Sequence, residues 1–194
     1  MIAQVIAALI GNYMTTCFVL GLVVAAVKIA RYPGHRSGAL MSGILLNTFI
    51  FYGIGCAQAI NFVMHSVFGD YAAKTIGWAQ SPFQLELAFS SLGMAVIAFI
   101  VYGQRNQFRS KVAVVLATAV FAYGAAGGHV YQMVVNRDFA ANNTGLLLFM
   151  DIFVPTFGLA MVIWHAVARR REQVDPTEAG PLVNSSAAQP ELTR

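Results

Sequence analysis

Five uninterrupted apolar stretches, each long enough to cross a bilayer, constrain this chain more than any other feature. They run from Ile2 to Val27, Gly38 to Met64, Pro82 to Gln104, Val112 to Asn136 and Thr144 to Ala168. A hydrocarbon core of about 30 Å takes about 20 residues of helix to span. Within the five stretches the only acidic residues are Glu86 and Asp151, and there is no Lys or Arg, so charge has been pushed into the connections. The runs are continuous rather than alternating, which favours helices over the strands of a β-barrel. Of the 194 residues 58% are hydrophobic and 10% charged, against about a quarter charged in a soluble domain, so a water-soluble fold is excluded. The expected fold is all-α: a polytopic membrane bundle of five transmembrane helices.

The basic residues alternate by connection. Lys28, Arg31 and Arg36 flank the first loop, Arg105, Arg109 and Lys111 the third, and Arg169, Arg170 and Arg171 follow the last stretch. The second loop sets Lys74 against Asp70 and the fourth sets Arg137 against Asp138. Under the positive-inside rule this places the N-terminus outside and the C-terminus in the cytoplasm, in the inner (plasma) membrane of a bacterial cell. The net charge of +4 then belongs to orientation and to contact with anionic inner-leaflet lipid, leaving no basic patch for nucleic acid. Trp78, Trp164, Tyr32, Tyr71 and Tyr102 fall where interfacial aromatic belts are expected, and Asp70 to Trp78 reads as a short interfacial helix with Asp70 as N-cap.

The first stretch lacks a basic leader and a small-residue cleavage pattern, so it reads as a retained helix. From Glu172 the composition turns to Pro, Glu, Ser, Ala and Gln, which divides the chain into a transmembrane domain over 1–171 and a disordered cytoplasmic tail over 172–194. Cys17 and Cys56 lie within the first two stretches and make neither a CxxC pair nor a metal spacing. No internal repeat is visible, which disfavours a transporter acting as a monomer; a channel or exporter would need a homo-oligomer.

An ionisable side chain at membrane depth marks a functional hypothesis. Glu86, His129 and Asp151 lie on three different spans at a similar depth, toward the outer surface. Glu86 shares a helical face with Ser90 and Gly93. His129 continues a stripe of Thr118, Ala122, Ala125 and Ala126, and Gly124 to Gly128 reads as a packing notch. Asp151 precedes Pro155, which has no amide for the Asp151 carbonyl, and Gly158. Asn47, Gln58, Asn61 and His65 fall near one face of the second span, and Gln84 and Gln132 offer further hydrogen bonds. The expectation is an outward-facing polar pocket with Glu86, His129 and Asp151 as catalytic groups and Gln58, Asn61, His65, Gln84 and Gln132 as ligand contacts.

Three readings of that pocket stand open. The polar groups could serve packing alone, fixing helix register in an accessory or scaffold subunit of a larger membrane complex. They could form a proton-handling or redox-supporting site with His129 as carrier, holding a quinone, a lipid or another small apolar ligand. Or His129, Glu86 and Asp151, with His65 as a fourth ligand, could hold a single metal ion, although neither HxxxH nor ExxH spacing is present. No Walker loop, GxGxxG, GxSxG or zinc-finger spacing occurs, so no enzyme class follows from motifs. The triplet Asn142-Asn143-Thr144 matches a glycosylation acceptor but abuts the membrane.

The run Trp78-Ala79-Gln80-Ser81-Pro82-Phe83-Gln84-Leu85-Glu86, continued to Gly93, with Gly128-His129-Val130-Tyr131-Gln132 and Asn142-Asn143-Thr144-Gly145, resembles a group of small bacterial multi-span membrane proteins known only as a domain of unknown function. The resemblance covers about residues 70 to 160 and implies no particular activity. The Glu86 to Gly93 pattern is also similar to that of DoxX-like membrane proteins, a likeness that implies a redox-associated role.

Overall fold

The computed structural model describes residues 9, 11–104 and 107–174. Among these, five helices are long and apolar enough to cross a membrane, as the hydropathy pattern requires. The first span is α1 (Tyr13–Ala30). The second is continuous but composite, made of α2 (Gly38–Thr48), a π-helical segment (Phe49–Cys56) and α3 (Ala57–Ser66). A short helix α4 (Gly69–Ile76) leads to the third span, α5 (Phe83–Gly103), and then the fourth, α6 (Phe108–Val135). One helical turn, α7 (Ala141–Thr144), precedes the fifth span, α8 (Leu146–Val174), which continues through Pro155. Of the expected first span, residues 2–8 and 10 lie outside the described part.

The second span is the centre of the bundle. Its π-helical segment packs on α1 and α5, α2 packs on α8, and α3 packs on α5, while α6 and α8 pack on each other. Close approach is bought with small residues. A Cβ on Gly21 would lie 3.1 Å from the Cβ of Tyr52, one on Gly55 would lie 2.6 Å from the Phe99 ring, and one on Gly158 would lie 2.6 Å from the Phe49 ring. Around this axis Phe18, Leu46, Phe49, Ile50, Ile54, Val115 and Val154 form the buried core, with the Phe18 and Phe157 rings edge-to-face at 5.0 Å. The opposite faces expose Phe83, Phe89, Val120, Val134 and Ile163, an apolar coat of the kind that meets lipid rather than water.

The ends are finished differently. At the basic end, Arg36 Nη2 donates to the Ala30 carbonyl at 2.8 Å, closing α1. Ser37 Oγ caps α2 by accepting the Leu40 amide at 3.2 Å, and Glu172 Oε1 accepts the Ala39 amide at 3.0 Å. Glu172 is therefore part of the helical body rather than the start of a tail, because its carboxylate satisfies an orphan amide of α2. Residues 175–194 of the expected tail lie outside the described part.

At the other end, α4 begins one residue earlier than expected, and Asp70 lies in its first turn instead of at the N-cap. The Asp70 carboxylate accepts from Gln80 Nε2 at 2.6 Å. Gly77, at φ 90°, supplies the left-handed residue that ends α4 and delivers Trp78 to the bundle.

Candidate functional site

His129 lies about 9 Å before the end of α6 and Asp151 about 7.5 Å after the start of α8, at 1.5 Å rise per residue, so packing of α6 against α8 puts the two at one depth. Both are buried, and His129 Nε2 is 3.6 Å from Asp151 Oδ2. His129 Nδ1 lies 2.7 Å from Asn143 Oδ1. The Trp78 ring covers the imidazole at 5.1 Å between centroids, and its Nε1 donates to the same Asn143 oxygen at 3.1 Å.

Asn143 fixes the chemistry of this group. Its Nδ2 donates to the Asp138 carbonyl at 2.8 Å and approaches the His129 carbonyl at 3.4 Å, so the amide cannot be turned over without facing donors to donors. Its oxygen therefore accepts, and His129 Nδ1 must carry the hydrogen. That leaves Nε2 facing Asp151. A proton on either group can link them: on Nε2 it pairs an imidazolium with a carboxylate, and on Asp151 it can be donated to a bare ring nitrogen. The 3.6 Å separation is an ion-pair distance, short enough for a side-chain adjustment or one water to complete the link.

The pair opens on a cavity of about 510 Å³ between the spans, within the size range of small-molecule sites. Its walls are mostly apolar. Gly124, Ala125 and Gly128 of α6 hollow out one side, and Pro155 lines another. The stretch expected to be a packing notch is thus in part cavity wall: Gly124, Ala125 and Gly128 line the cavity, and a Cβ on Gly124 would meet nothing within 4 Å.

Further polar groups come from α1, α3 and α5. Tyr13 OH donates to Asn61 Oδ1, Asn61 Nδ2 donates to Ser91 Oγ at 2.8 Å, and His65 Nδ1 lies 2.5 Å from Gln84 Oε1. Gln58, Asn61 and His65 line the cavity from one face of α3, at i, i+3 and i+7, as expected of those three.

Several expected members are elsewhere. Glu86 sits in the first turn of α5, exposed, and does not line the cavity. A carboxylate is favourable there because the free amides of a helix N-terminus carry partial positive charge. Ser90 and Gly93 share its exposed face, and a Cβ on Gly93 would meet nothing within 4 Å. Gln132 also stays out of the cavity: its Oε1 accepts from Asn136 Nδ2, and its backbone carbonyl accepts the Asn136 and Asp138 amides. Asn47, eleven residues before Gln58, would share its face on a straight α-helix, but the wider π turns between them break that phase and Asn47 does not line the cavity.

The metal set fails on the same geometry. With Glu86 removed, no three His, Cys, Asp or Glu side chains come together to hold an ion among the described residues. The residues that the sequence did not assign to the site are Asn143, Trp78 and Tyr13. Asn143 appears in the sequence as part of the polar run Asn142-Asn143-Thr144 directly ahead of an apolar span, which says nothing of its partners.

A family of unknown function, DUF6790, matches residues 11–171, the whole helical body apart from its last turn. No curated protein and no solved structure matches the chain significantly.

Proposed function

The chain belongs to the DUF6790 family, whose function is unknown, and from that premise we propose a proton-handling membrane protein in which His129 and Asp151 pass one proton to and from a molecule held between the helices. The observation that carries this reading is the orientation of His129, held through Nδ1 by Asn143 so that Nε2 lies 3.6 Å from Asp151 Oδ2 at the wall of a cavity. Gln58, Asn61, His65 and Gln84 are the ligand contacts. A small apolar molecule suits the mostly apolar walls, a quinone in its reduced, hydroxyl-bearing form among them, and a redox-associated role would follow if that molecule changes oxidation state.

The cavity lies at the end of the bundle opposite Lys28, Arg36, Arg109 and Arg169. With the basic end cytoplasmic, the site faces outward from an inner membrane, the N-terminus is outside and the surrounding partner is lipid.

The test is nitrogen NMR of histidine-labelled protein in nanodiscs. His129 should keep a hydrogen on Nδ1 over the whole accessible pH range while only Nε2 responds to pH, and Asp151→Asn should move the midpoint of that response. An Nε2-protonated ring with a bare Nδ1, or a response indifferent to Asp151→Asn, overturns the reading.

The packing alternative draws on one observation: Asn143 ties Trp78, α6 and the 138 carbonyl together. If packing is the whole purpose, Asp151→Asn and His129→Gln should lower thermal stability or block co-purification of a partner, and leave every binding property of the cavity intact.

A further inference from the structure

Of the hydroxyl groups that line the cavity, those of Tyr13 and Thr118 have their hydrogens committed to protein acceptors, and that of Ser81 accepts the Phe83 amide at 3.3 Å. Tyr13 OH donates to Asn61, and Thr118 Oγ1 donates to the Val114 carbonyl at 2.8 Å. Ser91, behind Asn61, donates to the Leu87 carbonyl at 3.1 Å. Gln58 is only 7% exposed, it lines the cavity, and its Oε1 has no hydrogen-bond partner. A buried acceptor left unmade costs more than a made one contributes, so such a group marks a place where a ligand donor is favoured.

His65 adds a second acceptor by the same logic that fixes His129. Gln84 Nε2 donates to the Gly69 carbonyl at 3.1 Å, which sets its Oε1 toward His65. His65 Nδ1 is then the donor, and Nε2, which is an acceptor in the neutral form of such a ring, has no partner among the described residues. Two histidines on one cavity are thus each locked, through Nδ1, by a side-chain amide that is itself held by a backbone carbonyl.

We propose that this cavity selects an apolar molecule that brings its own hydrogen-bond donors, a hydroxyl-bearing aromatic or alkyl compound, and that Gln58 and His65 are the residues that read the hydroxyl. The proposal rests on the cavity of the proton-handling reading being a ligand site, but not on the His129–Asp151 proton. A methyl ether of the same body fills the same space and can only accept, so it leaves the unpartnered acceptors unsatisfied.

The test uses 1-naphthol and 1-methoxynaphthalene as a matched pair, titrated against the full chain in nanodiscs. Binding is followed by quenching of Trp78 fluorescence in a Trp164→Phe background. The selectivity of each variant is compared with the parent, so that partition of the probes into lipid cancels. The parent should prefer the naphthol, and Gln58→Leu and His65→Leu should each reduce that preference by about three- to tenfold while the ether binds as before, the range of one neutral hydrogen bond.

Equal reduction for both probes, unchanged selectivity in both variants, or saturable binding of neither probe overturns the proposal. Should Gln58→Leu not fold, Gln58→Met and His65→Leu decide it. The two readings fail separately. Selectivity that disappears in these variants while Asp151→Asn leaves the His129 response unchanged removes proton handling and keeps the donor-reading site; the converse keeps the proton pair and removes this proposal.

Discussion

Asn143 holds more of the site together than either His129 or Asp151 does. It is fully buried, and its one amide satisfies the Trp78 indole, the His129 imidazole and the Asp138 carbonyl. Asn143→Ala strands those partners in an interior where an unmade hydrogen bond costs about 1–3 kcal/mol, so a loss of about 2–4 kcal/mol in unfolding stability is expected. Chemical denaturation in detergent measures it, and a loss under about 1 kcal/mol would show the hub to be dispensable. Glu86→Gln is the contrasting case. With the carboxylate exposed at a helix start, the change should stay within about 0.5 kcal/mol.

The sequence marked His129, Asp151 and Glu86 by one signal, an ionisable group in an apolar run, and that signal does not say which face of a helix a residue occupies. For His129 and Asp151, Ala122, Ala125, Gly128 and Pro155 lie on the cavity side, whereas Glu86, Ser90 and Gly93 lie on the exposed face. Asn143 escaped because its importance arises from partners 14 and 65 residues away, which no local pattern encodes.

At the scale of elements, the five spans were legible because hydropathy alone decides which segments can leave water, and their ends agree with the apolar runs to within a few residues wherever they are described. The π-helical segment was not legible. Phe49–Cys56 has the composition of any apolar helix, and its i→i+5 bonding follows from what packs around it.

The glycines of this central crossing give a graded prediction. Gly158→Ala puts a methyl against the Phe49 ring, which is buried and cannot retreat, so a loss of about 1–3 kcal/mol is expected. Gly55→Ala presses on Phe99, 38% exposed and able to swing outward, and should cost less. Gly93→Ala meets open space and should be neutral or slightly stabilising, since Ala loses less backbone freedom in a helix. Thermal unfolding in one detergent orders the three. An effect of Gly93→Ala as large as that of Gly158→Ala would contradict the packing described here.

For the whole molecule, the two ends of the bundle differ in kind. One end gathers Lys28, Arg36, Arg109, Lys111 and Arg169, with Lys28 over the Tyr102 ring and Arg169 over the Phe108 ring. The other is closed by α4, α7 and Trp78, and below it lies the cavity. An even distribution of charge would leave the sidedness of the site open. The alternation of basic loops instead predicts that the cavity end faces outward, so a ligand reaches it from the periplasm or the outer leaflet and a proton exchanged by His129 and Asp151 is drawn from that side.

Reporter fusions decide this. A green fluorescent protein joined after Arg194 should fluoresce and an alkaline phosphatase at the same point should be inactive, while phosphatase inserted after Asn136 should be active. Exchanging Arg105, Arg109 and Lys111 for Gln, with three Lys added between Arg137 and Ala140, should weaken or invert that pattern. Phosphatase activity at the C-terminus of the unaltered chain would reverse the assignment and turn the cavity to the cytoplasm, with its proton drawn from the opposite side.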